Sequence, residues 1–157
     1  MDGTVRQILD VKGHEVTMVE SHVSLLECAK LMNTDGIGSL LVIEDELLVG
    51  ILHERDICRV GVCQGLNLAE APVSDIMNTE FPIVGLSTSI LSAMALISKY
   101  RIRHLPVVDD KKIMGLISIG DLTKWVLDLQ KEDIDQLIGY IGGDLVTGKI
   151  DTGKLRD

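Results

Sequence analysis

Apolar residues recur along this chain at two spacings, which predict an alternation of helices and strands. After Ser24 and again after Ser89, they recur every three or four positions, so we predict two helices with a serine as N-cap. A short extended stretch, VTMV or FPIV, precedes each helix. Two strands follow each helix, SLLVI and LVGIL in the first half and HLPVV and IMGLI in the second. A charged turn separates the strands of each pair.

The two halves are copies of one unit. Setting position n against n + 65 aligns residues 16–59 with residues 81–124 without a gap, and 10 of the 44 aligned pairs are identical. A register held over that length indicates a duplicated β-α-β-β-α unit. One copy alone buries too little surface to be stable. The predicted fold class is therefore α/β (α+β), with tandem repeats packed sheet against sheet in pseudo-twofold symmetry.

The repeat divides the chain into four predicted regions: a first domain at 5–62, a linker at 63–72, a second domain at 73–130, and a C-terminal region at 131–157. The N-terminal segment VRQILDVKG falls on VSDIMNTEF, and we assign it to the first copy. A helix of about ten residues, 119–129, is predicted to follow the last strand. The C-terminal region is predicted to hold a short helix at 132–141 and a glycine-rich, mobile tail.

Composition and charge exclude several classes of protein. Aromatic residues make up 3% of the chain against 46% apolar residues in total, so the core is predicted to be aliphatic. The longest apolar runs have about five residues, too few to span a membrane, and the N-terminus has no signal-peptide pattern. A net charge of −9 argues against nucleic acid or anionic membranes as partners. We expect a cytoplasmic protein.

The three cysteines are consistent with a cytoplasmic protein. Cys28 lies within a helical apolar pattern and is predicted to be a small core residue. Cys58 and Cys63 are five positions apart, which is not the spacing of a zinc or redox pair. We therefore expect reduced thiols.

The turn after the last strand of each copy is the main candidate for chemistry. It reads GLISIGD at 115–121, where a strand leads into a helix whose N-terminus favours phosphate. Ser118 adds a hydroxyl donor, and Asp121 can accept from both hydroxyls of a ribose. Ile117 and its neighbour Leu116 offer an apolar wall for a purine. The same Ser-x-x-Asp pattern is also a capping box that needs no ligand, and this alternative stays open.

The first copy has GILHERD at 50–56, so His53 replaces the serine while Asp56 remains. We expect His53 to cap less well and to fill the space of a phosphate, which makes the second-copy site the better one. Arg55 is a further candidate to reach a phosphate.

The second copy also carries basic residues ahead of its first hairpin strand. Arg101, Arg103 and His104 replace Gly36, Gly38 and Ser39 of the first copy. We predict that Arg103 and His104 contact phosphate, although surface charge explains them equally well. Pro106 is predicted to interrupt strand pairing beside the cleft and to line it.

Taken in order, the duplicated unit, the HLPVVDD strand and the G-apolar-apolar-S-x-x-D turn resemble the cystathionine-β-synthase (CBS) domain pair over about residues 5–128. The resemblance implies a stand-alone, non-enzymatic regulatory module that often pairs with a second chain. It implies an adenine nucleotide as regulatory ligand, with AMP, ATP or NAD first and ADP or S-adenosylmethionine as further candidates, and no obligatory cofactor. A homodimer and an unknown regulated protein are the implied partners.

The alternative is a scaffold in which the repeat serves only dimerisation. Two other readings are weaker. The segment GDLVTGKI (143–150) fits a phosphate loop up to its lysine but lacks the following Ser or Thr. The four histidines show no metal-binding spacing, so we predict no metal site.

Overall fold

The computed structural model describes residues 3–143, except for the side chains of 132–133 and 136–143. The chain divides into two compact units, with the boundary between Leu122 and Thr123. The N-terminal unit contains both copies of the repeat. Its helices are α1 (Val5–Lys12), α2 (Leu25–Asp35), α3 (Glu54–Asp56), α4 (Ile90–Tyr100) and the beginning of α5 (Ile119–Gly143). Its strands are β1 (Met18–Glu20), β2 (Ser39–Glu44), β3 (Leu47–His53), β4 (His104–Asp109) and β5 (Lys112–Ser118).

The predicted β-α-β-β-α order is complete in the first copy, whereas the second copy lacks its first strand. In the first copy, β2 lies between β1, which is parallel to it, and β3, which is antiparallel. In the second copy, β4 and β5 form an antiparallel pair. The FPIV segment is not a strand, because it pairs with β4 only through one parallel bridge between Val84 and Val107.

Pro106 explains why the second sheet lacks its third strand. In the first copy, the Leu41 N–H donates to the Thr17 carbonyl at 3.3 Å. The residue 65 positions after Leu41 is Pro106, which has no N–H to donate. The Pro106 carbonyl still accepts from Val84 N at 3.0 Å, and Val84 O accepts from Val108 N at 2.9 Å. Pairing of β4 with the FPIV segment is thus interrupted at Pro106, whereas β4 stays paired with β5 there.

Both predicted helix caps are present. The Ser24 hydroxyl accepts a hydrogen bond from Glu27 N at 3.2 Å, which begins α2. The Ser89 hydroxyl accepts from Ser92 N at 3.1 Å, which begins α4. The serines therefore fix where the apolar face of each helix starts.

The segment before each copy is hydrogen-bonded to the other copy. Val5 N donates to Thr88 O at 2.9 Å, and Val73 N donates to Val23 O at 2.8 Å. Val73 lies 68 positions after Val5, and Thr88 lies 65 positions after Val23. The two bonds are therefore equivalent under exchange of the copies, as pseudo-twofold symmetry requires. The N-terminal segment, assigned to the first copy from the sequence, is hydrogen-bonded to the second copy.

Glycines make this exchange possible on both sides. A Cβ at Gly115 would lie 2.9 Å from Leu9 Cδ2, and Gly115 also has a φ of +155°. A Cβ at Gly50 would overlap the side chain of Met77. Met77 lies 68 positions after Leu9, so the first glycine of each GIL or GLI turn receives one apolar side chain from the opposite leading segment.

The core is aliphatic, as the composition predicts. Cys28 is fully buried among aliphatic side chains, which confirms the prediction that it is a small core residue. The largest fully buried side chains are Leu9, Leu25, Leu40, Leu41, Ile51, Leu52, Leu105, Ile117, Leu122, Val5, Val42 and Val73.

The last helix differs from its prediction. It is continuous over Ile119–Gly143 instead of ending near residue 129 and restarting at 132. The polar stretch QKED that suggested a break contains good helix formers and neither glycine nor proline, so nothing in it stops the helix. The predicted mobile tail and most of GDLVTGKI lie at 144–157, outside the described residues. No helix among residues 3–143 is long and apolar enough to cross a bilayer.

Candidate functional site

The turn between β5 and α5 forms a complete capping box. Ser118 N and Ser118 Oγ both donate to Asp121 Oδ2, at 2.7 and 2.8 Å. Asp121 N donates back to Ser118 Oγ at 3.2 Å. The capping alternative raised by the sequence is thus present in the protein, and a ligand role has to be compatible with it.

Lys12 completes this turn from the end of α1. Its Nζ donates to Asp121 Oδ2 at 2.6 Å and to the Leu116 carbonyl at 2.9 Å. Burial raises the pKa of Asp121, but the hydrogen bonds from Lys12 and Ser118 outweigh it and hold this pKa below its ordinary value. The carboxylate is therefore ionised at neutral pH. All three donors bond to Oδ2, so Oδ1 takes no part in this network.

A cavity of about 310 Å³ opens beside the turn, and residues of both copies line it. The polar and apolar groups that matter for a ligand are Lys12, Thr17, Gly38, His104, Leu116 and Ser118. The first copy contributes the carboxylate of Glu15, the apolar side chains of Val16 and Ile37, and two glycines. The second copy contributes the helix N-terminus, an imidazole and an apolar wall.

His104 faces this cavity as a neutral imidazole. Burial, followed by the nearby charges of His53 and Lys12, lowers the pKa of His104 to about 4. Its ring centroid lies 5.5 Å from that of His53. Within residues 3–143, the buried Nδ1 of His104 has no hydrogen-bond partner.

The corresponding turn of the first copy is only partly equivalent. His53 N donates to Asp56 Oδ2 at 3.1 Å, and the ring Nδ1 lies 3.1 Å from the same oxygen. The ring does not accept from the helix N–H, so His53 gives no side-chain cap. His53 is 7% exposed, and burial lowers its pKa despite the opposing charge of Asp56. Arg55 Nε lies 4.0 Å from Asp56 Oδ1.

Ser118 and His104 are the predicted site residues that line this cavity. The other predicted residues are not among its lining residues: Asp121, Arg103, Pro106, Ile117, Arg55 and Asp56. Ile117 is fully buried in the core, and the apolar side chains that line the cavity are those of Leu116, Val16 and Ile37. Pro106 is also buried within β4. Strand alternation explains the burial of Ile117, since neighbouring residues point to opposite faces and only one of the pair 116–117 can face the cleft.

The predicted arginines are differently placed. Arg103 is exposed, and its carbonyl accepts from Ile119 N at 2.9 Å at the start of α5. Its charge contributes to lowering the pKa of both His53 and His104. Arg101 ends α4 in the left-handed conformation with a φ of 52°.

Sequence reasoning missed Lys12, Thr17 and Gly38. None of them belongs to a motif, and Lys12 lies 109 positions from Asp121. The sequence does provide one signal. Residues of the segment before the second copy lie 68 positions after their counterparts before the first copy, so the counterpart of Lys12 is Glu80.

The CBS-domain family model matches residues 5–62 and 73–128 of this chain. The mitochondrial CBS domain-containing protein CBSX3 of Arabidopsis thaliana is 35% identical over 125 residues, which are 76% of this chain and 61% of that protein. This chain therefore spans less than two thirds of its relative.

Solved structures share the fold. A crystal structure described as a CBS domain is 41% identical, with a TM-score of 0.77, and the match covers 81% of this chain and 99% of that one. The CBS domain pair of protein MJ0100, solved in complex with 5-methylthioadenosine and S-adenosyl-L-methionine, has a TM-score of 0.70 at 23% identity, over 80% and 97% of the chains. At that identity, the likeness to MJ0100 concerns the fold alone. The duplicated unit, its exchanged segments and these matches together show that this chain belongs to the CBS-domain family, with two CBS domains in tandem.

Proposed function

We propose that this protein is a non-enzymatic regulatory module that binds one adenine nucleotide in the cavity beside Ser118 and Asp121. One observation carries the proposal. The capping network uses Asp121 Oδ2 only, so Oδ1 is left to accept from ribose hydroxyls while the helix stays capped. Capping and ligand binding are therefore compatible functions of the same turn.

The other residues are assigned by charge and position. The α5 N-terminus and Ser118 favour phosphate, and the ring of His104 lines the cavity beside them. Lys12 lines the cavity, and exposed Arg103 is proposed to reach the phosphate from its mouth. Leu116 packs against the purine. The adenosyl ligands in the structure of MJ0100 are consistent with this chemistry.

We propose that the first-copy site is weaker. Asp56 keeps its carboxylate, and Arg55 lies beside it. However, the nearly buried ring of His53 replaces the serine hydroxyl, and Glu80 replaces the cation. A phosphate there would meet a filled space and a negative charge. Pro106 and Ile117 act on the sites only through the backbone of β4 and β5.

The proposed mechanism is a population shift. A ligand held between the two copies favours one of their packings, and its effect is limited by its difference in affinity for the two packings. A homodimer and a separate regulated protein would read that change. The proposed units are residues 5–62 and 73–130, joined by 63–72, in a cytoplasmic protein.

The test is ligand-induced thermal stabilisation of the full chain by AMP, ADP, ATP, NAD and S-adenosylmethionine, each measured separately. A ligand at about 100 times its Kd adds roughly 2.7 kcal/mol, which for this size is a shift of several degrees. In Asp121→Ala, we expect the shift to vanish relative to the variant's own unliganded Tm. The matched variant Asp56→Ala loses the equivalent carboxylate and should keep most of the shift.

A scaffold remains the second candidate, because the cap at Ser118 is complete without any ligand. No thermal shift with any of the five ligands at millimolar concentration would favour it. An unchanged shift in Asp121→Ala would instead contradict the assignment of the site.

A further inference from the structure

Cys58 and Cys63 are one hydrogen-bonded turn apart, although their spacing suggests otherwise. In an α-helix, residues five apart are separated by about 1.4 turns and point in different directions. Here Ile57–Val62 form a π-helix, and Cys63 N donates to the Cys58 carbonyl at 3.3 Å. This bond closes one wider turn, which brings the two cysteines to neighbouring positions.

Both thiols are accessible, whereas the third is not. Cys58 and Cys63 are exposed, and Cys58 also lines an open groove of about 520 Å³ beside Ala29 and Asn33 of α2. Cys28 is fully buried, and burial raises its pKa to about 11. A soluble oxidant would therefore reach two thiols of this chain and leave the core thiol intact.

We propose that Cys58 and Cys63 form a reversible intramolecular disulfide, which makes this turn a redox modification site. Disulfides join Cα atoms roughly 4.4–6.8 Å apart, a span that one hydrogen-bonded turn can provide. The proposal is independent of nucleotide binding. It concerns the segment that follows α3, so the bond would tie the end of the first copy to the start of the linker at 63–72.

Glutathione disulfide is a sufficient oxidant. One cysteine thiolate attacks it, forms a mixed disulfide and releases one glutathione thiolate. The second cysteine thiolate attacks the protein sulfur of that mixed disulfide and releases the second glutathione. The two protein thiols lose two protons and two electrons, and one glutathione disulfide becomes two glutathione molecules.

Tryptic digestion makes the bond directly visible. Cleavage after Arg55 and Arg59 places Cys58 in peptide 56–59 and Cys63 in peptide 60–99. After oxidation of the full chain and alkylation of remaining thiols, we expect these two peptides to be linked in mass spectra and to separate on reduction. Cys58→Ser and Cys63→Ser should each give one mixed disulfide with glutathione. Cys28 should stay unmodified as the internal control.

The decisive comparison is between the folded chain and the chain unfolded in urea. In glutathione buffers, the ratio of linked to unlinked peptide gives the effective concentration of one thiol at the other. We expect this concentration to be at least about tenfold higher in the folded chain, because the turn holds both thiols in place. An equal or lower value would overturn the proposal. Mixed or intermolecular disulfides as the only products of the folded chain would overturn it as well.

Discussion

At the residue scale, two histidines occupy places that serines hold in the other copy. His53 pairs with Ser39 across the first hairpin, and His104 pairs with Ser118 across the second. Because each copy carries its histidine on the opposite strand, the two rings meet at 5.5 Å. Both are kept neutral by burial. The contact between the copies is therefore sensitive to protonation.

Acid should destabilise the protein through His104. Its pKa is about 4 when folded, against 6.5 as the ordinary value. The unfolded chain thus binds more protons between these values, so stability is complete above about pH 6.5 and falls as the pH drops toward 4. We expect a loss of about 1–2 kcal/mol in the free energy of unfolding between pH 7 and pH 5, measured with urea.

The control for this prediction is His104→Gln, which removes the titrating ring. The variant should therefore lose clearly less stability than the wild type over the same range. Equal losses would assign the effect to other groups.

At the element scale, each copy is completed by a segment from the other end of the repeat. Leu9 of α1 packs on Gly115 of β5, and Met77 packs on Gly50 of β3. The same α1 ends at Lys12, which bonds Asp121. The packing of Leu9 on Gly115 therefore fills the core and also positions Lys12 beside Asp121.

Gly50→Ala should test this packing. The added methyl group would overlap Met77, so we expect the free energy of unfolding to fall by about 1–3 kcal/mol. In a Met77→Ala background the obstacle is gone, and the same change should cost little. Urea denaturation of the four proteins in the cycle gives the coupling energy. Equal costs in both backgrounds would show that Met77 is not the obstacle.

At the scale of the whole molecule, every group assigned to the site lies between Lys12 and Asp121, inside the N-terminal unit. A chain cut after Gln130 should therefore keep the ligand-induced thermal shift of the full chain. The measurement is the shift with the ligand that stabilises the full protein most. Loss of that shift in a truncated chain that keeps its circular dichroism spectrum would place part of the site beyond residue 130.

The sequence predicted most of the fold because its signals are local. The hairpin strands, both serine caps and the order of helices follow from spacings of two and of three to four residues, each readable within one copy. The FPIV strand was predicted in the same way and is absent. The duplication added the strongest long-range statement, since a constant offset of 65 implies two equivalent units. Ser118 and Asp121 were found because they belong to one turn.

What the sequence alone determined is thus the repeated unit, its caps and the paired turns. Tertiary structure decided which copy each leading segment completes, that Lys12 reaches Asp121 across 109 positions, and that Leu116 faces the cavity while Ile117 enters the core. It also gathered Cys58 and Cys63 on one π-helical turn. The reason is physical: local hydrogen bonds and side-chain periodicity are written in neighbouring residues, whereas a site between two copies depends on how their apolar faces pack.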